Sequence, residues 1–383
     1  MADDITTITR DIAPGETFSH KGSVDLKGNV GAGAIIDIQD GGIRISGNVA
    51  DKASVTTKGG GNSVSITSSG GSVVIRGTIT GSFKINGQTI TGGSGGLAGI
   101  VVKGQTGNGV TYKTDSSVDL KDAAGDDLTI RAGSSSSITT AGARLKAKVD
   151  SSMDADSVGP DADITASSSS TIKEVGAGST LNCDSSLTIE NAGDNCTIGA
   201  SSSSEIGTLG ANSNVTCESS VEIGTVGNNC KIGSSSSSEF KTVGDDVTIS
   251  CDSSVEIGRT GRRCMIKSSS SSDIKELGHG STVECDSSLD IKKVGQDCTI
   301  TASSSSEFGT VGARTKIDVD SSVDVRLAHD SARISADGSK DIDGRSSNDA
   351  DFLLSMDAGQ VPGGGTTAPA AKSSGKPFKL WFK

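Results

Sequence analysis

Between Ile206 and Val325 the chain repeats at every seventeenth residue, and no other feature restricts its fold so strongly. One column reads Ile206, Ile223, Phe240, Ile257, Ile274, Ile291, Phe308 and Val325, and a second reads Gly210, Gly227, Gly244, Gly261, Gly278, Gly295 and Gly312. A third runs from Val215 through Ile232, Ile249, Ile266, Val283 and Ile300 to Ile317, and a fourth, from Leu209, is apolar except at Thr260. So strict a period describes the architecture before any local propensity is considered. Seventeen residues are too few for a helical hairpin, and apolar residues two apart signify strands with one side in and one side out. If each repeat is one turn, like residues stack about 4.8 Å apart. The pattern therefore predicts an all-β chain, a single-stranded parallel β-helix solenoid of about 17 turns and roughly 80 Å. In the turn from Ser202 the inward set is Ser204, Ile206, Leu209, Ser213, Val215 and Cys217, while Ser203, Glu205, Asn214 and Thr216 face outward. Gly210 is expected at a corner, where a positive φ is open to glycine.

A period of thirty-four is laid over the first. The column at Ser204 alternates with Val221, Ser238, Val255, Ser272, Leu289, Ser306 and Val323. The cysteines obey the same doubling: Cys183, Cys217, Cys251 and Cys285 form one series, and Cys196, Cys230, Cys264 and Cys298 the other. Large thus lies against small in a slender core that must pack without voids. Members of one series are two turns apart, about 9–10 Å, which is beyond disulfide reach. With no Cys-x-x-Cys pair and only His20, His279 and His329 to assist, the thiols read as free, buried and structural. They fit a reducing, cytoplasmic compartment.

The expected organisation is a polar lead-in at 1–19 and N-terminal turns of about nineteen residues at 20–93. A Gly-rich interruption at 94–100 precedes the regular seventeen-residue coil at 101–340. Leu120 to Gly125 holds one extra residue, readable as a bulge. A C-terminal cap with a short helix follows at 341–359, laying Phe352, Leu353 and Met356 over the open end, and then a flexible linker and tail at 360–383.

Composition narrows the function. A chain with 52 glycines, 2% aromatic residues and a single Trp cannot build ordinary globular cores, whereas each solenoid turn buries only a few small side chains against its neighbours. A formal charge of −12 without a basic stripe argues against nucleic acid. No apolar run approaches the roughly 20 residues that cross a bilayer, and the opening Met1-Ala2-Asp3-Asp4 lacks the features of a secretory signal. Neither histidine within the repeats has a partner constellation for catalysis, and no cofactor or metal motif is present. An enzyme is not expected.

Two outward columns carry the surface. Serine fills position 203 from Ser135 to Ser322, able to hydrogen-bond along the stack. The second column is acidic: Glu205, Glu222, Glu239, Glu256, Asp273, Asp290, Glu307 and Asp324. Stacked like charges repel, and Lys241, Lys275, Lys292 and Arg326, two positions on, are placed to offset them in part. The column reads as a solvated face or as a docking strip for a basic partner or divalent cations. The last residues, Phe378, Lys379, Leu380, Trp381, Phe382 and Lys383, make a basic, aromatic segment in an acidic protein. A peptide for a partner groove, a weak membrane-surface contact, a C-terminal export address and packing back onto the solenoid all remain open for it.

The short, insertion-free turns resemble the bactofilins, bacterial polymer-forming β-helix proteins. The likeness is clearest at 41–60 and in Val73-Val74-Ile75-Arg76-Gly77-Thr78-Ile79-Thr80-Gly81, where strand residues alternate and glycines mark corners. It implies end-to-end assembly into filaments, flexible tails and, in some members, membrane attachment. The expected function is a rod-like scaffold that self-associates or organises protein partners. The alternative is a monomeric exported effector or interaction module that uses its tail as address or hook.

Overall fold

The computed structural model describes residues 5–39 apart from 23 and 32, strands and a short turn between residues 43 and 114, and residues 117–355 without a break. It is an all-β parallel solenoid of about 15 turns with about 17 residues in each. Every regular turn contributes a six-residue strand, such as Ser204–Leu209, and a four-residue strand, such as Asn214–Cys217. Each pairs in parallel with its counterpart one turn away, Glu205 opposite Glu222 and Val215 opposite Ile232. The inward set is buried as expected: Ile206, Leu209, Ser213, Val215 and Cys217 are all at most 2% exposed.

The six-residue strand has a bend that the two-residue alternation did not show. Ser204 to Ile206 alternate in and out, then Gly207 and Thr208 both face outward before Leu209 turns in again. The pairing register skips Gly207. The strand therefore wraps a corner, and two strands enclose a core that the alternation alone would leave open on one side.

The four-residue corner from Gly210 to Ser213 corrects the expected role of glycine. Gly210 does not have a positive φ. That conformation falls two residues later, at Asn195, Asn212, Asn229, Asp246 and Asp297, with φ between 57° and 60°. Asn and Asp tolerate it better than other non-glycine residues, and Gly178 and Gly280 occupy the same column. The glycine column is required by close approach instead. A Cβ on Gly210 would sit 2.4 Å from the carbonyl carbon of Gly193 in the turn below, and one on Gly176 would sit 2.4 Å from that of Gly159.

Backbone N–H groups at this corner cannot all find ladder partners, and side chains complete the set. Gly210 N–H donates to the Ala192 carbonyl, and Asn212 N–H to that of Asn228. Between them, Ala211 N–H donates to Asp194 Oδ1 at 2.7 Å; Asn228, Asp245 and His279 accept in the same way one or more turns on. Behind them, the Ser213 hydroxyl accepts from Cys196 N–H at 3.1 Å, and Ser281 and Thr315 repeat this for Cys264 and Cys298. The large-against-small alternation is thus also an alternation of donor and acceptor. At the opposite corner, turns holding Cys217 with Val221 alternate with turns holding Ser234 with Ser238, whose hydroxyls lie 2.6 Å apart.

Both ends of the coil lie further out than the periodicity suggests. Thr6–Ile8 pairs with Val24–Leu26, and Thr17–Lys21 with Ile35–Gln39, so part of the 1–19 segment is a first turn. A terminal strand has neighbours on one side only and does not need a full apolar face, which is why its sequence reads as polar. Beyond 340, Lys340–Ile342 and Arg345–Ser346 still pair with Val323–His329. The number of turns is lower than expected because Ser82–Ile85 and Gln88–Thr91 form an antiparallel hairpin, and Gln88–Thr91 then pairs antiparallel with Ile100–Val102. Residues 92–99, which hold most of the Gly-rich interruption, lie outside the described residues. The bulge after Leu120 is present, as a register shift between Leu120 and Ala123.

The C-terminal helix is a single 3-10 turn, Asp349–Phe352, capped by the Asn348 side chain. It does not lead over the open end. Phe352 packs edge-on against the His329 ring at 5.5 Å, and Ser355 hydrogen-bonds through its N–H and hydroxyl to Glu276, several turns back. Phe352 and Leu354 are buried while Leu353 is 62% exposed, so the described part of the strap, to Ser355, lies along the flank; Met356 lies outside the described residues. Glu276 draws it there as an acceptor for two donors.

Two alanine substitutions test the account of the glycine column. Gly210→Ala forces the Cβ into the backbone of the turn below and should lower the stability of the fold by about 1–3 kcal/mol, as overpacking does. Gly233→Ala, where a Cβ meets nothing within 4 Å, should leave the urea midpoint unchanged or raise it slightly.

Candidate functional site

The residues expected to form a docking strip are brought together. Glu205, Glu222, Glu239, Glu256, Asp273, Asp290, Glu307 and Asp324 are consecutive Cα partners in one sheet. All but Asp324 line a shallow groove of about 800 Å3 that also takes in the serine rank from Ser203 to Ser305. The groove exists because the outward residue at 205 and the corner serine at 203 both stand away from the buried side chain between them, in every turn. Serine hydroxyls approach one another along the rank at Ser186 and Ser203, 3.1 Å, and at Ser271 and Ser288, 2.9 Å.

Charge in the groove is largely uncompensated. Of the four cations expected to offset it, Lys275 reaches Glu256 at 3.9 Å. Two unit charges one strand apart repel by about 1 kcal/mol even at the dielectric constant of water, so the rank is a standing electrostatic strain. One member adds a second. Asp273 Oδ1 is shut off from solvent and has no hydrogen-bond partner.

A second electrostatic feature escaped sequence reading. At the positive-φ column an Asp in one turn grips an Arg in the next: Asp127 with Arg144, Asp246 with Arg263, and Asp297 with Arg314, each through two hydrogen bonds of 2.6–2.9 Å. The Arg hydrogen bonds hold these three carboxyls below the usual range. The signal was present as a column of Asp, Asn, Gly and Arg two residues after the glycines. Its meaning depended on knowing that this column is left-handed. Glu276 is different: burial pushes its carboxyl up, but hydrogen bonds from Ser355 and Lys293 carry it below the usual value.

The histidines serve the turns. His279 Nδ1 accepts from Gln296 N–H at 2.8 Å, and His329 Nδ1 accepts from Ser331 N–H while Nε2 faces Asp349 at 3.4 Å. His20 stacks on Phe18. Among the described residues no group of three or more His, Cys, Asp or Glu side chains could hold a metal ion, and no helix is long and apolar enough to cross a membrane. Phe378, Lys379, Leu380, Trp381, Phe382 and Lys383 lie outside the described residues.

All eight cysteines are free and buried. Burial pushes the thiols of Cys230, Cys264 and Cys298 up to about 11, and that of Cys196 upward as well. No family model, curated protein or solved structure matches the chain.

The thiols give the fold an alkaline limit. A group whose folded pKa is raised contributes stability below its unfolded value, near 9, and that stability is lost as pH climbs toward the folded value. The urea midpoint should therefore fall between pH 9 and pH 11, where these thiols are protonated only in the folded chain. Replacing Cys196, Cys230, Cys264 and Cys298 by alanine should flatten that fall.

Proposed function

We propose that the protein is a non-enzymatic, rod-shaped scaffold whose repeated outer face organises protein partners; end-to-end assembly, which its resemblance to the bactofilins implies, is the second reading. The observation that supports this reading is the turn-by-turn recurrence of one serine and one carboxylate along a continuous groove. A face that repeats every ~4.8 Å binds by multiplicity, because each further turn adds the same contact to a partner already held. Its charge suits a basic protein segment and repels nucleic acid. Free, buried thiols between Cys183 and Cys298 support a reducing, cytoplasmic setting, with export through a C-terminal address as the alternative.

A second reading, end-to-end self-association, is favoured by the two ends. Ile8 and Phe18 at one end and Ala336 and Ile342 at the other are only partly covered core residues. Among the described residues Thr6–Ile8 and Lys340–Ile342 each pair on one side alone, and an unpaired strand edge templates another. Lys340 opposes it. It continues the inward column of Val323, and its Nζ approaches the Ile334 carbonyl at 3.4 Å. A charge directed inward at the rim is a common protection against edge pairing.

Light scattering with negative-stain microscopy separates the readings. The scaffold reading expects a mass of 38.2 kDa at every concentration and single rods of about 70 Å. Filaments would transfer the case to end-to-end assembly, and Lys340→Val should then lengthen them. A compact, rounded particle would overturn both.

A further inference from the structure

We infer that the serine and carboxylate groove is occupied by the protein's own residues 356–383, whose lysines lie along the carboxylate rank. The inference deepens the reading of that face as a docking surface by naming its resident ligand.

The path of the chain is the first argument. After Arg345–Ser346 the chain turns back along the flank, with Asp349 facing His329, Phe352 against the His329 ring and Ser355 bonded to Glu276. Glu276 lies three residues along the same strand from Asp273, which lines the groove. The Glu276 backbone is therefore about 10 Å from the carboxylate rank by strand geometry, and Ser355 is held at the Glu276 side chain. Twenty-eight residues follow it. The stretch of groove from Glu205 to Glu307 is about 30 Å long, and a chain of that length reaches any point in it at ~3.3 Å per residue.

Charge is the second argument. Residues 356–383 contain Lys372, Lys376, Lys379 and Lys383 against the single acid Asp357. The groove presents seven carboxylates, of which, among the described residues, only Glu256 has a cation within ion-pair distance, together with Asp273 Oδ1, which has no hydrogen-bond partner among them. Each half supplies what the other lacks.

Spacing is the third. The lysines are separated by four, three and four residues. In an extended chain these gaps are about 13, 10 and 13 Å. Carboxylates recur every ~4.8 Å, so two turns make about 10 Å and three make about 14 Å. A strand laid along the groove can thus bring Lys379 and Lys383, which share one of its sides, near carboxylates three turns apart without a change of conformation. Lys379, Trp381 and Lys383 alternate onto one side of such a strand, which places the indole between two groove-directed ammonium groups.

Trp381 is the single tryptophan of the chain, so its fluorescence reports this segment alone. Acrylamide quenching of the full-length protein at low salt is compared with quenching of a peptide of residues 370–383. The inference expects the indole in the protein to be protected relative to the peptide. Protection should be lost in Glu222→Gln/Glu239→Gln/Glu256→Gln, which relieves repulsion in the groove and so keeps the fold, and lost in about 1 M salt, where the screening length falls to ~3 Å. A control variant, Glu218→Gln/Asp252→Asn/Asp286→Asn, removes the same charge from exposed corner positions outside the groove and should retain protection. Three results would overturn the inference: peptide-like quenching of the wild type, equal loss in the control variant, or protection that disappears on dilution, which would make the occupant a second copy. The first two leave the rod and its mass untouched, and the third raises the mass with concentration while the particle stays a rod. Each is therefore distinguishable from the compact, rounded particle that overturns the scaffold reading.

Discussion

The hydrogen-bonded contact between one turn and the next holds the whole structure together. Within the regular turns nearly every strand residue is placed by its counterpart one turn before and one turn after, as Glu205 is by its neighbours at Thr188 and Glu222. Backbone pairing makes the pitch constant, and constant pitch forces like residues into columns. A column then has one environment, so a single residue type suits all of it. This is why a core of Ile, Val, Ser and Cys suffices where an ordinary globular chain of this length would need many more aromatic side chains. Phe240 and Phe308 are the large exceptions, and both replace isoleucine in one fully buried column.

What the columns reveal and conceal follows from the same physics. Burial repeats strictly, so the inward set from Ser204 to Cys217 could be read from spacing alone, as could the free, buried thiols and the bulge after Leu120. Backbone conformation is less legible. The glycine column looks like a site of positive φ, yet close approach of the turn below excludes a Cβ there, and the left-handed residue is Asn212 and its equivalents. Both constraints select glycine or small polar residues, and a sequence shows only the selection. The bend after Ile206 was hidden because two successive outward residues resemble a local lapse in alternation. The hairpin at Ser82–Thr91 and the strap at Asp349–Ser355 break the period, so the columns carry no information about them.

The outer surface separates two uses of charge. At the left-handed corner, Asp and Arg alternate between turns and neutralise each other, as in Asp246 with Arg263. These pairs are exposed, and solvent screens them, so they tune the corner more than they hold it. Along the groove the same stacking geometry repeats one sign. Identical turns would have allowed a lysine at alternate positions, as the core alternates Cys and Ser. The groove instead keeps its carboxylates in register from Glu205 to Glu307 and accepts the repulsion. On the reading proposed above, that rank is kept for recognition of a cation.

The central claim is that the side chains of one continuous coil interlock in a dry, narrow core with the thiols inside it. Alkylation of the native protein by iodoacetamide at neutral pH, read by intact mass, tests it most directly. The account predicts no adducts on the folded chain over a period in which the urea-unfolded chain takes up eight, one for each free cysteine. Rapid labelling of the folded chain, or fewer than eight reactive thiols after unfolding without reductant, would contradict it.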